Sequence, residues 1–288
     1  MTTHPDATFV LTLTCPDQRQ IVHKVTGVLA KLDANIVESA QFGDGSTALF
    51  CMRISFAISS APSQITALRT DIAQLAAQLE MNYSLNDMSE LPRVLILVSK
   101  YDHCLTDLLY RQGRGDLPID VRAVMSNHND LQPLVARHDI PFHHAPVTRA
   151  TKVAQEAQIT ELIAKEKIDF VVLARYMQIL SSDFCAQFPG RIINIHHSFL
   201  PGFKGARPYH QAHERGVKII GATAHYVTAN LDEGPIIEQD VVRVSHSCDA
   251  KKLVVIGREI EQRVLARAVQ FQAEHRVILN GKKTIVFG

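Results

Sequence analysis

The 288-residue sequence contains no tryptophan and only five cysteines, which stand at positions 15, 51, 104, 185 and 248. No two of them form a CxxC pair, so the pattern does not indicate a zinc ribbon. An odd number of widely spaced cysteines also argues against a disulfide framework. We therefore expect reduced thiols that pack as small apolar side chains, and a cytoplasmic protein.

An excess of charge of one sign and long apolar runs are also missing. With 30 basic and 29 acidic residues, the net charge of +1 gives no reason to expect nucleic acid or an acidic membrane surface as a partner. No apolar run reaches the roughly 18 residues that span a bilayer. The polar start Met1–Asp6 lacks the pattern of a secretion signal. The 46% hydrophobic content is typical of a globular protein, and the length is sufficient for two domains or one large one.

Strand and helix patterns follow a specific order over the first 90 residues. Short β-rich runs predict strands, and apolar residues spaced by three or four predict helices, the first with Asp17 as its N-cap. The predicted order is strand 8–14, helix 21–32, strand 35–42, strand 48–56, a helix from Pro62 and strand 81–88. This βαββαβ order is typical of a ferredoxin-like fold.

Within this region, Pro16–Arg19, Ile21-Val22 and Leu32–Ile36 resemble the corresponding segments of ACT domains. Such domains often bind amino acids and pair edge to edge, so the resemblance implies an amino-acid effector and a homo-oligomer. Gln20 occupies the position at which many ACT domains have a glycine that lets the backbone approach a ligand. An assembly role and a ligand-sensing role for residues 1–90 therefore both remain open.

A polar, proline-containing break at Ser89–Pro92 separates two predicted domains, residues 1–90 and 91–288. The run Arg93–Ser99 is almost continuously apolar, as in a parallel sheet that is buried on both faces. Further strands are predicted at 119–125, 141–143, 169–173 and 192–195, alternating with helices near 105–109, 130–137 and 152–165. This alternation predicts an α/β, doubly wound, mostly parallel Rossmann-like sheet, in which ligands bind at the carboxyl ends of the strands.

Asn194 and His196 lie at one of these strand ends. Strand alternation points both side chains to the same side and sends His197 the opposite way, which favours a structural role for His197. An amide N–H can hold a developing oxyanion, and an imidazole can carry a proton. The position at a strand end favours catalysis of acyl transfer, and a hydrogen-bonded structural pair remains the alternative.

A carboxylate and a further histidine come from the segment that follows. The turn Leu231–Pro235 lies between β-rich runs at 219–227 and 236–242, and it contains Asp232. Its Gly-Pro pair would hold this carboxylate at a set distance from an imidazole. His225, on the first of the two runs, can face the same cleft.

The histidine-rich segment Tyr209–Glu214 raises the question of a metal site. His210 and His213 can share a helix face, but their arrangement is not HExxH. The adjacent His143 and His144 diverge on a strand. A zinc site needs three or four convergent ligands, and since no second cluster with suitable spacing occurs, we expect no metal.

Ordered segments of the second domain resemble the formyltransferase fold family, which handles 10-formyltetrahydrofolate. They are Leu173–Leu180, Asn194–Pro201, Gly221–His225 and Leu231–Ile237, within a match that runs from about Pro92 to Gln272. The resemblance implies that Asn194, His196 and Asp232 are catalytic, and that a loop holds the pterin by its main chain while apolar side chains cover the ring. The substrate-binding residues implied in this way are Arg175, Tyr176, Met177, Gln178, Ile179, Leu180, His225 and Val227.

The loop after the first strand of this domain distinguishes between members of the family. Glycinamide ribonucleotide transferases carry a glycine-rich phosphate-binding loop there, whereas this chain has the bulky segment Val98–Leu105. We also find no basic RNA-binding domain of the kind that a methionyl-tRNA formyltransferase needs. An ACT domain ahead of the second domain, together with Ser99–Leu105, resembles the formyltetrahydrofolate deformylases, in which water accepts the formyl group.

This last resemblance covers essentially the whole chain and implies a hydrolase of a linear amide C–N bond. Its reaction would convert 10-formyltetrahydrofolate and water to formate and tetrahydrofolate, and would supply formate for one-carbon and purine metabolism. Asn194 would donate to the formyl oxygen, His196 would move a proton from water towards N10, and Asp232 would pair with His196, with no cofactor. A formyltransferase to an amine acceptor, a non-catalytic folate- or amino-acid-binding regulator and a metal-dependent amidohydrolase remain alternatives.

Overall fold

The computed structural model describes residues 6–202 and 208–288. The chain divides into two compact units at Leu91-Pro92. The sequence assigns every residue from 91 onward to the second domain, whereas residues 274–278 and 285–288 belong to the first unit. There, Ile278 and Phe287 pack with Cys51 in a small apolar cluster. The C-terminal residues thus contact parts of the first unit that are distant in sequence, and local sequence patterns cannot predict such contacts.

The first unit has the predicted βαββαβ order. Its elements are β1 (Asp6–Pro16), α1 (Ile21–Lys31), β2 (Asn35–Asp44), β3 (Leu49–Ser59), α2 (Pro62–Leu79) and β4 (Asn82–Asp87). The strands form an antiparallel sheet in the order β2-β3-β1-β4. Alternate residues of β1, Phe9, Leu11 and Leu13, are buried in one core cluster with residues of both helices. The ferredoxin-like prediction is therefore confirmed.

The start of α1 differs from the prediction. Asp17 is not the N-cap; Gln20 takes that position, with a φ of 69° and no side-chain cap hydrogen bond. A positive φ is a conformation that glycine adopts without cost and that other residues adopt rarely. The backbone at Gln20 thus keeps the geometry that suits glycine, although the residue carries a long polar side chain.

The second unit contains an alternating series of strands and helices. They are β5 (Arg93–Val98), α3 (His103–Arg114), β6 (Asp120–Ser126), α4 (Gln132–Ala136), β7 (Phe142–His144), α5 (Lys152–Glu166), β8 (Phe170–Leu173), α6 (Ser182–Gln187), β9 (Ile192–His196), α7 (Pro208–Glu214), β10 (Ile219–Tyr226), β11 (Ile236–Arg243) and α8 (Ala250–Ala273). A C-terminal hairpin, β12 (Val277–Asn280) and β13 (Lys283–Val286), follows α8. No helix was predicted in the region of α8.

Seven strands of this unit form one sheet in the order β11-β10-β9-β8-β5-β6-β7. The five from β9 to β7 are parallel, and β10 and β11 are antiparallel additions at one edge. From β5 the chain passes to β6 and β7 on one side and later to β8 and β9 on the other. The sheet therefore has a topological switch point between β5 and β8, where ligands bind in such folds. The predicted doubly wound, mostly parallel fold is confirmed.

No helix in the described ranges, 6–202 and 208–288, is both long enough and apolar enough to cross a membrane.

Candidate active site

A cavity of about 570 Å³ lies at the carboxyl ends of β8 and β9. Its wall is formed by the loop that follows β8, the end of β9, the loop between β10 and β11, and part of α8. The residues predicted to be catalytic, Asn194, His196 and Asp232, all line it. So do all the residues predicted to bind substrate: Arg175, Tyr176, Met177, Gln178, Ile179, Leu180, His225 and Val227.

The three predicted catalytic side chains meet around a fourth, His225. Asp232 Oδ1 lies 3.3 Å from His196 Nδ1 and 3.7 Å from His225 Nε2. The amide nitrogen of Asn194 lies 3.2 Å from His225 Nε2. Because Asn194 and His225 are paired across the antiparallel strands β9 and β10, the sheet itself fixes their distance. One carboxylate, two imidazoles and one carboxamide therefore form a connected group.

The loop between β10 and β11 holds Asp232 tightly against the end of β10. A Cβ atom at Gly234 would lie 1.7 Å from the main-chain oxygen of Tyr226, so only glycine fits there. The main chain closes the loop with a 2.9 Å hydrogen bond from Tyr226 N to Pro235 O. Asp232 itself has a φ of 56°, a left-handed conformation that aspartate tolerates better than most residues. The close packing at Gly234 explains how an exposed loop can position a carboxylate.

The hydrogen-bond partners define which nitrogens of the two rings carry hydrogen. His225 Nδ1 lies 2.9 Å from the carbonyl oxygen of Tyr226, which can only accept, so Nδ1–H donates and Nε2 faces the Asn194 amide. His196 directs Nδ1 to the Asp232 carboxylate, so this nitrogen also donates. His196 Nε2 is buried and has no hydrogen-bond partner in the described part of the chain. That nitrogen is consequently available to a bound molecule.

Asp232 is ionised at neutral pH. Burial favours its neutral form, but the adjacent rings of His196 and His225 outweigh burial and hold the pKa of the carboxyl well below its usual range. An ionised acceptor beside His196 Nδ1 orients this ring and stabilises a positive charge that develops on it.

His197 does not point away from the site, contrary to the prediction. Its ring stacks on that of His196, with 5.1 Å between the ring centroids, and lines the same cavity. Strand alternation does not apply to it because β9 ends at His196. Burial, followed by the nearby charge of Arg175 and the adjacent ring of His196, lowers the pKa of His197 to about 4, so this ring is neutral at physiological pH.

The segment Arg175–Leu180 crosses the cavity without regular secondary structure. Its apolar side chains Met177 and Ile179 are 51% and 61% exposed, although both line a cavity. Exposed apolar side chains concentrated in a concave surface are typical of a ligand-binding site.

Buried polar residues that were not predicted to be functional form hydrogen bonds to this segment and to Ser181 just after it. Ser99 Oγ accepts a 2.9 Å hydrogen bond from the main-chain N–H of Met177. On α5, Gln155 donates to the hydroxyl of Tyr176 at 2.7 Å, and Glu156 accepts from the main-chain N–H of Ser181 at 2.8 Å. Gln155 interrupts the apolar face of α5 one turn before Ile159, and this buried polar position is the signal that could have revealed its role.

A second polar group lies on α8, around the buried carboxylate of Glu261. His103 Nε2 and the hydroxyl of Tyr209 contact its two oxygens at 2.8 and 2.6 Å, and Arg175 Nε lies at 3.3 Å. All four residues line the cavity. Burial raises the pKa of Glu261, but the hydrogen bond from His103 and the charge of Arg175 outweigh this effect and lower it. Glu261 was not predicted, because α8 itself was not.

Among the described residues, one group has the spacing for a metal ion, namely His103, Cys104 and Glu261. Burial raises the pKa of the Cys104 thiol well above its usual value, and Glu261 already accepts hydrogen bonds from His103 and Tyr209 and forms an ion pair with Arg175. A protonated thiol and a saturated carboxylate are poor metal ligands, so hydrogen bonding accounts for this group. Of the histidines considered earlier for a metal, His210 lines the cavity as an exposed residue of α7.

Comparisons with known proteins agree with this geometry. Residues 92–269 match the formyl transferase family, and residues 7–86 match the ACT domain family. The chain is 50% identical over 277 residues to the formyltetrahydrofolate deformylase of Corynebacterium sp. strain P-1, covering 96% of this chain and 97% of that protein. Two crystal structures of formyltetrahydrofolate deformylases superpose closely, each with a TM-score of 0.94. The structure from Burkholderia mallei is 48% identical in sequence, and the match covers 98% of this chain and 100% of that chain. The structure from Pseudomonas syringae is 42% identical, and the match covers 100% of this chain and 96% of that chain.

Proposed function

Because the chain belongs to the formyltetrahydrofolate deformylases and hydrolyses 10-formyltetrahydrofolate to formate and tetrahydrofolate, we propose that Asn194, His196 and Asp232 carry out this hydrolysis. The observation that supports these roles is the connected group they form with His225 at the carboxyl end of β9. The folate lies along the segment Arg175–Leu180, with the apolar side chains of Met177 and Ile179 against its pterin ring.

In the first step, water adds to the formyl carbon. One hydrogen of the Asn194 amide is directed to His225 Nε2, and the second donates to the formyl oxygen as negative charge develops there. Such a donor stabilises the transition state more than the neutral carbonyl of the substrate, because its hydrogen bond strengthens as the charge grows. His225 orients the carboxamide for this contact.

His196 transfers the proton. Its free Nε2 accepts a proton from the attacking water, and the resulting imidazolium is stabilised by the ionised carboxylate of Asp232 at Nδ1. The same nitrogen then protonates N10 as the bond between N10 and the formyl carbon breaks. The oxygen of the attacking water ends on formate, and the proton that His196 took from this water ends on N10 of tetrahydrofolate. No other reactant is consumed.

The reaction requires neither a metal nor a cofactor. The Asn194 amide supplies the electrophilic contact and His196 the proton transfer, which are the two tasks that a metal ion performs in a metallohydrolase. We expect formate release by the purified protein to be unchanged, within about two-fold, after extensive treatment with EDTA. Formate and tetrahydrofolate are to be quantified with and without chelator, and with and without candidate amine acceptors. Loss of activity that zinc restores would contradict the proposal, and formate that appears only with an acceptor present would contradict it as well.

Ser99 positions the folate-binding segment through the main-chain N–H of Met177. The substitution Ser99→Ala removes this acceptor, and we expect KM to rise about five-fold, the equivalent of about 1 kcal/mol, with little change in kcat. The steady-state parameters of formate release measure both effects. Ser245→Ala, at an exposed serine, is the matched control. An unchanged KM in the Ser99 variant would show that this hydrogen bond does not contribute to substrate binding.

The first unit has the fold of a small-molecule-binding ACT domain. We propose an amino-acid effector site near the turn at Gln20, where the backbone keeps the left-handed conformation that suits glycine. Thermal unfolding of the full chain with each amino acid in turn tests this role. The absence of any shift in Tm with all of them would remove the effector from the proposal.

Homo-oligomer formation is proposed through the edge strand β2, which carries the exposed apolar residues Val37 and Phe42. Sedimentation of the native chain and of Val37→Lys tests this arrangement. A monomer in both cases, or an oligomer that the substitution does not affect, argues against it.

The proposed compartment is the cytoplasm, where folates are used. All five cysteines are buried and unpaired, as expected of a protein that functions under reducing conditions. Recovery of the protein in an extracytoplasmic fraction would contradict this assignment.

A further inference from the structure

His197 lines the catalytic cavity but takes no part in the steps assigned to Asn194, His196 and Asp232. It is half-buried, and its ring lies within 25° of parallel to the His196 ring, with 5.1 Å between the two centroids. The Tyr209 ring also contacts it, at a centroid distance of 6.4 Å. Within the described ranges, neither ring nitrogen of His197 has a hydrogen-bond partner. Ring packing therefore holds this imidazole while its nitrogens stay available to a bound molecule.

The main chain that follows His197 is fixed by a buried side chain of β10. Thr223 Oγ1 donates to the carbonyl oxygen of Ser198 at 3.0 Å and accepts from the main-chain N–H of Leu200 at 3.1 Å. Thr223 itself is fully buried. Because β9 ends at His196, this anchored loop, and not the strand, determines where the His197 ring lies. Its position beside His196 is thus a property of the fold.

His197 stays neutral next to the catalytic histidine. Burial is the main cause that lowers its pKa to about 4, followed by the charge of Arg175 and the ring of His196. The carboxylates of Glu261 and Asp232 act in the opposite direction and are outweighed. A neutral imidazole has one nitrogen that donates and one that accepts. It therefore offers an acceptor to a polar molecule, and it does not repel the positive charge that forms on His196 during proton transfer.

A single water molecule can connect the two rings. Two hydrogen bonds of about 2.8 Å each span up to about 5.6 Å between the atoms that the water joins. The centroids of the His196 and His197 rings are 5.1 Å apart, which lies within this span. Attack on a carbonyl carbon uses a lone pair of the water oxygen, so both hydrogens of the water can be held at the same time.

We propose that His197 holds the attacking water in place for His196. One hydrogen of this water is directed to His196 Nε2, which takes it as a proton, and the other is accepted by the unprotonated ring nitrogen of His197. A lone pair of the oxygen then points to the formyl carbon. Because both hydrogens are held, less orientational freedom is lost when the water attacks.

His197 accepts a hydrogen bond and no proton in this step. The second hydrogen stays on the attacking oxygen, so the balance of the reaction is unchanged. The inference rests on the roles proposed for Asn194, His196 and Asp232, since these place the formyl carbon and the base.

The substitution His197→Phe in the full-length protein tests the inference. It keeps an aromatic ring against His196 and removes both nitrogens, so we expect kcat for formate release to fall by about ten-fold or more. KM for 10-formyltetrahydrofolate should stay within about two-fold, because the folate lies along Arg175–Leu180. The matched control is His246→Phe, at an exposed histidine of the same unit, which should retain the native kcat.

Two further substitutions restore a hydrogen-bond acceptor without the imidazole. His197→Asn and His197→Gln each place a carboxamide near one of the two ring-nitrogen positions, and its oxygen accepts from water. We expect at least one of them to have a kcat several-fold above that of His197→Phe. Circular dichroism establishes that each variant is folded.

Two results would overturn the inference. In the first, folded His197→Phe releases formate at the native kcat, so the water needs no contact from this ring. In the second, the Phe, Asn and Gln variants are all folded and lose kcat equally, so the shape of the ring matters and its nitrogens do not. Failure of the proposed catalytic roles looks different, because it appears as native formate release from His196→Ala or Asp232→Asn with His197 in place.

Discussion

The substitution His196→Ala is expected to lower kcat for formate release by roughly 10²- to 10⁴-fold. The imidazole is buried, its Nδ1 is held by Asp232, and its Nε2 has no partner in the described residues. Removing the ring leaves the attacking water without a base and N10 without an acid. Because both tasks belong to the transition state, KM should change by much less than kcat.

Steady-state measurement of formate release at saturating substrate decides this prediction. The control His138→Ala removes an exposed histidine of the same unit, and it should retain native kcat. Circular dichroism establishes that the His196 variant is folded. Turnover within about three-fold of the native enzyme would rule out His196 as the proton-transfer group.

The second large effect is expected from Asp232→Asn. The substitution preserves size and removes the negative charge that faces His196 and His225. Without it, the imidazolium formed during proton transfer is no longer stabilised, and kcat should fall by roughly 10²-fold or more. The matched control is Asp139→Asn, because Asp139 has the same φ of 56° but is exposed in a turn. Equal rates in the two variants would show that the charge of Asp232 is not needed.

The same substitution affects stability in a pH-dependent way. The pKa of Asp232 is lower in the folded protein than its usual value, so the folded state favours the ionised carboxyl. Its contribution to stability is therefore complete above the unfolded pKa, about 3.9, and is lost as the pH falls through the folded value. Urea unfolding should show that Asp232→Asn is destabilised at neutral pH, and that the difference from the native protein shrinks in acid. A difference that stays constant or grows in acid would contradict a lowered pKa.

The order of the elements was predictable from the sequence because it depends on local periodicity. Apolar spacing along 21–32 and 152–165 was sufficient to predict helices, and β-rich runs such as 8–14 and 93–99 were sufficient to predict strands. The same kind of information placed Asn194 and His196 on one side of β9, since two residues of a strand separated by one position always share a face. The catalytic role of Asp232 was predicted from the resemblance to the formyltransferase family, and the close approach of Gly234 to Tyr226 holds its loop.

Some conformations and contacts depend only on the tertiary structure, because contacts with distant residues outweigh the local sequence pattern there. Strand alternation failed for His197 because the strand ends one residue earlier, and the chain then turns its ring back onto His196. Gln20 adopts the backbone of a glycine because the turn before α1 requires it. The return of residues 274–278 to the first unit follows from contacts with residues more than two hundred positions away.

For the chemical groups at the site, too, some properties follow from the sequence and others only from the fold. A sequence shows which side chains can accept a proton or donate to an oxyanion, because these are properties of single residues. It does not show that Glu261 accepts hydrogen bonds from His103 and Tyr209 and pairs with the charge of Arg175. It also does not show that Ser99 accepts a hydrogen bond from Met177, 78 positions away. Such pairings depend on distance in the folded chain, and burial then determines the ionisation of each group. The sequence thus identified the candidate reacting groups, and the fold determined their protonation and alignment.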